Sequence, residues 1–174
     1  MAKYLVVGAS SGIGNALANQ LLASGHQVYA TFFKNEIASS NPNLSFHQLN
    51  VLDENLSSDF LPETINGIVY CPGSINLKPF ARIKPEDFVS DYQLQVVGAV
   101  KVIQAALPKL READNASIVL FSTVAVQSGL NFHSLVASSK GAIEGLARAL
   151  SAEFAPKIRV HCIAPSLKIG RAHV

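Results

Sequence analysis

Lys3-Tyr-Leu-Val-Val-Gly8-Ala-Ser-Ser-Gly12-Ile-Gly14-Asn-Ala-Leu is an apolar run that breaks at a cluster of glycines and passes at once into helix-forming residues. It reads as strand, glycine-rich turn and helix. In such a turn the first glycine frees the backbone to bend sharply. The later ones remove side chains that would hold a pyrophosphate away from the helix N-terminus, or the helix away from the strand. The spacing is Gly-x3-Gly-x-Gly, and its weight comes from context: it follows a strand signal, opens a helix and heads an alternating β/α pattern. A tight strand-to-helix connection without a ligand is the alternative.

Working outward, the first helix is expected from Ile13 to Leu22, with Ile13, Leu17, Ala18 and Leu21 on one face and Ser24-Gly25 closing it. His26 to Lys34 reads as a second strand and Leu44 to Asn50 as a third, and the polar Asn35 to Asn43 has room for a turn or two of helix. Asp53 to Leu61, acidic in its first turn, can form a brief helix stopped before Pro62. Asn66-Gly-Ile-Val-Tyr-Cys71-Pro-Gly73 is a buried strand broken by Pro-Gly. Pro85 opens helical territory through Leu110 that is apolar on more than one side. Ser117 to Thr123 reads as a fifth strand, His133 to Phe154 as a long Ala-rich helix and Lys157 to Pro165 as a sixth strand.

Strands that alternate with helices and read apolar throughout indicate a parallel sheet covered on both faces, an α/β doubly wound fold of Rossmann type. Its ligands lie beyond the carboxyl ends of the strands, where strand order reverses beside the first strand. The candidate stretches are therefore Gly8 to Gly14, Thr31 to Lys34, Asn50, Cys71 to Ser74 and Ser122-Thr123.

With 174 residues, 49% apolar and 15% charged, the chain suits one well-buried domain and is too apolar for disorder. The formal charge of +2 is small and Lys and Arg are dispersed, so no basic stripe marks a nucleic-acid or anionic-membrane partner. Cys71 and Cys162 each end an apolar run far apart in sequence, which points to buried thiols in a reducing compartment and to neither a disulfide nor a metal site. No apolar run reaches the length of a signal peptide or a membrane span, and the cytoplasm is the expected location.

With the strand ends located, the chain resembles the short-chain dehydrogenase/reductase family from Lys3 to about Leu167, on four segments in order. Gly8-Ala-Ser-Ser-Gly12-Ile-Gly14 looks like the family's cofactor loop, and Gly98 through Ala105-Ala-Leu-Pro108 like its helix between the fourth and fifth strands. Ala137-Ser-Ser-Lys140-Gly-Ala-Ile-Glu-Gly-Leu-Ala-Arg-Ala-Leu looks like the helix carrying its active-site lysine, and Ile158-Arg-Val-His-Cys-Ile-Ala-Pro165 like its sixth strand. The resemblance implies a strand order 3-2-1-4-5-6 and hydride transfer between a nicotinamide cofactor and a small carbonyl or alcohol substrate. The implied cofactor contacts are Gly8, Ser10, Ser11, Gly12, Ile13 and Gly14 in the loop, and Phe33 and Lys34 after the second strand. Asn50 and Val51 follow after the third strand, Cys71, Pro72 and Gly73 after the fourth, and Lys140 completes the set.

In the family a tyrosine gives or takes the proton, and a lysine four residues later lowers that tyrosine's pKa and holds the nicotinamide ribose. A serine orients the carbonyl, and an asparagine organises a proton-relay water. A phenol titrates at about pH 10 in water, so a nearby ammonium is needed to make it useful near neutrality, and a spacing of four puts both on one helix face. Here Lys140 is present, but the tyrosine position is Val136, which cannot transfer a proton. The serine position is Thr123, with Ser122 beside it, and the asparagine position is Gln95. Asn-Asn-Ala-Gly after the fourth strand becomes Tyr70-Cys-Pro-Gly73, and the adenine-contacting aspartate becomes Asn50. His133 would be a competent acid on the stripe of Val136 and Lys140 if its helix has begun there; a solvent-facing or capping role is the alternative. Ser134, Ser138 and Ser139 read as capping or surface residues.

Thr31-Phe-Phe-Lys34 lacks the acid that would bind the ribose 2′-hydroxyl of NAD, so the sequence leans to NADP over NAD, with Glu36 close by. Two functions are therefore carried forward: an NAD(P)-dependent oxidoreductase, and a dinucleotide-binding sensor or scaffold that has lost turnover with the tyrosine. The helices at 86–110 and 133–154 carry surplus apolar surface, through which the family pairs its subunits, so a homo-oligomer is expected. The family continues past its sixth strand with a substrate-covering loop and helix and a seventh strand. Lys168-Ile-Gly-Arg-Ala-His-Val174 does not resemble that continuation, and back-translates as AAG ATC GGA AGA GCA CAC GTC, like a sequencing-adapter read. The expectation is a domain over 1–167, truncated before its final strand, and a non-native tail over 168–174.

Overall fold

The computed structural model describes residues 1–35, 37 and 39–166. Glu36 and the tail expectation over 168–174 lie outside the described residues. Six strands form one parallel sheet in the order β3-β2-β1-β4-β5-β6. They are β1 (Lys3–Val7), β2 (Gln27–Phe32), β3 (Leu44–Gln48), β4 (Gly67–Tyr70), β5 (Ala116–Phe121) and β6 (Ile158–Ile163). The helices are α1 (Gly12–Ala23), α2 (Pro85–Tyr92), α3 (Gly98–Arg111), α4 (Ala125–Ser128) and α5 (Ser134–Phe154). Side chains alternate across β1: Leu5 and Val7 face a core shared with Val102, Ile103, Ile143 and Ala147 of α3 and α5, while Val6 joins Val28, Ala30 and Ala18 of α1 on the other face. This is the doubly wound arrangement that the apolar strands implied. It places the switch point between β1 and β4, with Val7 beside Tyr70.

Two local expectations are corrected, and a third, at most a turn or two of helix between Asn35 and Asn43, stays within its bound. Asp53 to Leu61 forms no helix, because α3 satisfies the carbonyls of this loop in place of helical hydrogen bonds. Lys101 Nζ donates to the Asp53 carbonyl at 2.7 Å, and Lys109 Nζ to the Leu61 and Pro62 carbonyls at 2.9 and 3.1 Å. Between Asn35 and Asn43 the described residues hold no helix. The territory from Pro85 to Leu110 is not one regular helix, because a π-turn over Gln93–Val97 separates α2 from α3 and the Gly98 N–H reaches back to the Gln93 carbonyl. The Tyr70 hydroxyl, at the end of β4, donates to the Leu94 carbonyl inside that turn at 2.6 Å. A Cβ on Gly98 would collide with the Tyr70 hydroxyl and stand 3.0 Å from Val51 Cγ2, so only glycine lets β4 and the helix approach this closely. The short α4 and a 3₁₀ turn over Phe80–Arg82 were not legible in the sequence.

Candidate functional site

The glycine turn sits at the carboxyl end of β1. Gly8 and Gly12 adopt φ of +75° and +57°, in the left-handed region that favours glycine. At Gly14 any Cβ would run into the Gly8 carbonyl oxygen and lie 3.0 Å from Ala9 Cα, so this glycine lets α1 close on the turn. Thr31 locks the turn to β2, its Oγ1 accepting from the Gly8 N–H at 3.1 Å and its carbonyl from the Ala9 N–H at 2.8 Å. Ser11 is the N-cap of α1, yet its side chain makes no capping bond, and the first turn carries no acidic residue. The first-turn N–H groups, which have no partners within the helix, are thereby left to an incoming anion beside Ser10, Ser11 and Ile13.

Across β4, Pro72 packs against Gly8: a Cβ there would come 3.2 Å from the Pro72 nitrogen. The next residue, Gly73, borders a small cradle. A Cβ built on it would stand 3.4 Å from Gln95 Oε1 and 3.7 Å from Lys140 Nζ. Gln95 is 1% exposed, its Oε1 has no hydrogen-bond partner, and Lys140 takes part in no ion pair among the described residues. One buried acceptor and one ammonium thus border a point where the chain supplies no side chain. That donor set suits a hydroxyl, which accepts from Lys140 and donates to Oε1. Burial holds the Lys140 ammonium below the ordinary lysine range, and Asp91, Cys162 and Cys71 oppose that shift. The glycine turn and this cradle together fit the pyrophosphate and a ribose of a dinucleotide.

The other sequence candidates divide. Thr123 Oγ1 accepts from the Ala125 N–H at 3.3 Å, which leaves its own hydrogen to donate. Ser122 is turned away, its hydroxyl donating to Glu144 Oε1 at 2.7 Å within the core. Val136 is 4% exposed and packs inside, four residues before Lys140. His133 is the N-cap of α5 and not part of its stripe, and its Nδ1 donates to the Asn131 carbonyl at 2.7 Å. Ser139 is buried rather than a surface residue, whereas Ser138 bonds back to the Ser134 carbonyl at 2.7 Å. Asn50 is committed to its own turn, its amide donating to Asp53 Oδ1 at 2.6 Å and its Oδ1 accepting from the Leu52 N–H at 3.2 Å. Val51 is buried against Gly98. Phe33 and Lys34 are exposed past β2, with the Lys34 ammonium 5.4 Å from the Phe33 ring centroid. No disulfide joins Cys71 and Cys162, and the Cys162 thiol is pushed up by burial and then by Glu144.

Three contributors escaped the sequence reading. In the sequence Thr31 has no role of its own within its stretch, Tyr70 is only a departure from the family pattern, and Asp91, which is 5% exposed in the fold, belongs to no candidate stretch. A carboxylate one helical turn before Gln95 on an otherwise apolar face was the available signal for Asp91. Among the described residues no helix is long and apolar enough to cross a membrane.

A profile of the family described as short chain dehydrogenase matches residues 3–168. A tropinone reductase homolog of Arabidopsis thaliana is 30% identical over 181 residues, covering 94% of this chain and 68% of that protein. Human 3-oxoacyl-[acyl-carrier-protein] reductase is 28% identical, covering 92% of this chain and 73% of its own length. Among solved structures, ElxO with NADP bound superposes with a TM-score of 0.86 at 25% identity, over 95% of this chain and 73% of that one. With the sheet order, the glycine turn and a profile that spans nearly every described residue in agreement, the chain belongs to the short chain dehydrogenase family.

Proposed function

We propose that the protein binds a nicotinamide dinucleotide, NADP in preference to NAD, and acts as an oxidoreductase on a small carbonyl or alcohol. The observation that carries this reading is the convergence, at the carboxyl ends of the central strands β1 and β4, of the glycine turn with the Gln95 and Lys140 cradle. The bound nicotinamide supplies or takes up the hydride. The N–H groups at the start of α1 bind the pyrophosphate, Lys140 holds the neighbouring ribose, and Lys34 faces the adenosine side, where Thr31-Phe-Phe-Lys34 brings no carboxylate to repel a 2′-phosphate. Thr123 donates a hydrogen bond to the substrate oxygen, and with Val136 apolar the proton that accompanies the hydride is exchanged with water. The ElxO structure, with NADP bound, supports the cofactor class. The same reading pairs subunits through α2, α3 and α5, where Val89 and Tyr92 stand exposed.

Val136 favours a second reading: with an apolar residue at the proton-donor position, the protein binds the dinucleotide without turnover. One experiment separates the two. NADPH and NADH are titrated against the protein, carbonyl reduction is assayed, and both are repeated with Val136→Tyr. Turnover by the wild type supports the oxidoreductase. Binding without turnover, with activity gained by the variant, supports the second reading, and failure to bind either dinucleotide refutes both.

A further inference from the structure

Gln95 faces two groups on its amide-nitrogen side, and both are acceptors. Its Nε2 lies 2.9 Å from Asp91 Oδ1 and 2.9 Å from Oδ2, and 3.4 Å from the Ser74 carbonyl oxygen. A carboxylate and a carbonyl only accept, so the amide cannot be reversed without setting oxygen against oxygen. Asp91 is held in turn by the Ser74 hydroxyl, which donates to Oδ1 at 2.9 Å. Both amide hydrogens of Gln95 are therefore consumed on the Asp91 side. Oε1 is left facing Gly73, buried and unpartnered, with Lys140 Nζ across the same cradle.

We propose that Asp91 is a positioning residue: by taking the amide hydrogens of Gln95 it turns the Oε1 acceptor into the cradle, so that a ligand hydroxyl donates to Oε1 while accepting from the Lys140 ammonium. This rests on the dinucleotide reading for the ligand's identity, a ribose hydroxyl, but not for the placement of Gln95. The charged and titratable groups facing Lys140 are Asp91 from α2, Cys71 after β4 and Cys162 on β6, and of these Asp91 acts most strongly to keep the ammonium protonated. A neutral, isosteric Asp91→Asn removes both the orienting acceptor pair and that counter-charge.

The test reads the protein without nucleotide by NMR, following the Gln95 side-chain amide and the pH titration of Lys140, and then measures NADPH binding, with AMP as the probe for the adenosine half alone. In Asp91→Asn the Gln95 amide signals move from their wild-type positions and the Lys140 midpoint falls further. NADPH binds up to about tenfold more weakly, the worth of one hydrogen bond between neutral groups, while AMP binding is unchanged. Gln95 and Lys140 signals that coincide with wild type overturn the proposal. Should Asp91→Asn not fold, Asp91→Glu decides, since it keeps the charge and displaces the carboxylate from the Gln95 amide: moved Gln95 amide signals with NADPH weakened relative to AMP support it, and unchanged signals with an unchanged ratio overturn it. If the wild type binds neither NADPH nor NADH, the dinucleotide reading falls, and the NMR comparison alone decides whether Asp91 orients Gln95.

Discussion

Replacing Gly73 with alanine separates what the fold needs from what a ligand needs. Gly73 has no positive φ, so alanine suits its backbone, and the new methyl would lie 3.4 Å from Gln95 Oε1 and 3.7 Å from Lys140 Nζ, both ordinary contacts. Stability should hold or rise by about 0.4–1 kcal/mol through reduced freedom of the unfolded chain. The methyl, however, takes the place where a ligand hydroxyl would bridge Oε1 and Nζ. Losing a hydrogen bond to a charged group costs about 1.5–3 kcal/mol, or roughly ten- to a hundredfold in affinity. NADPH fluorescence titration, with urea unfolding in parallel, measures both effects on one preparation. An NADPH affinity within about twofold of wild type would refute the cradle as a ligand site. A stability loss beyond about 1 kcal/mol would show that the fold itself requires this glycine.

Two further outcomes follow from the same geometry. Gly98→Ala pushes a methyl onto the Tyr70 hydroxyl and Val51, and should destabilise by about 1–3 kcal/mol, offset by about 1 kcal/mol of helix propensity. Tyr70→Phe loses about 1 kcal/mol with its bond to the Leu94 carbonyl but removes the oxygen the methyl strikes. Urea unfolding of the double variant should therefore show a loss smaller than the sum by about 1 kcal/mol, and additivity within about 0.5 kcal/mol would refute the close approach. His47 stacks on Phe60 with ring centroids 4.3 Å apart, and burial holds its pKa below the ordinary value of 6.5. The unfolded chain then binds the proton first, so stability falls as pH drops from 6.5 through the lowered folded midpoint and levels below it. His47→Phe keeps a stacked ring without a titrating group, and should flatten the thermal-unfolding midpoint across that window. An unchanged pH profile would refute the assignment.

Much of the fold was legible because its signals are local. The glycine turn lies within a dozen residues, and Gly14 answers to the Gly8 carbonyl six residues earlier. Apolar strands alternating with helices imposed the doubly wound class. The expected helix over Asp53 to Leu61 failed for the opposite reason: its acidic first turn was a real local preference, but two lysines about fifty residues later satisfy the loop's carbonyls. Local propensity is a weak prior where tertiary hydrogen bonds are on offer. The π-turn was likewise invisible, since the Tyr70 hydroxyl and Gly98 come from different elements.

For the site, residue types determined which groups were candidates, and only the packed structure decided which way they point. Ser122 and Thr123 are neighbours of equal chemical promise, yet the chain leaving β5 sends one hydroxyl to Glu144 and leaves the other with its hydrogen to give. Lys140 and Gln95 were named from their positions along the chain. That they share a cradle at Gly73, and that Asp91 sets the polarity of Gln95, follows from three elements meeting at the end of β4. The sequence by itself determined the sheet, the turn and the apolar residue four positions before Lys140. The direction of each buried polar atom was decided by its partners across the fold, because a hydrogen bond depends on geometry that residues distant in sequence acquire only when they are packed together.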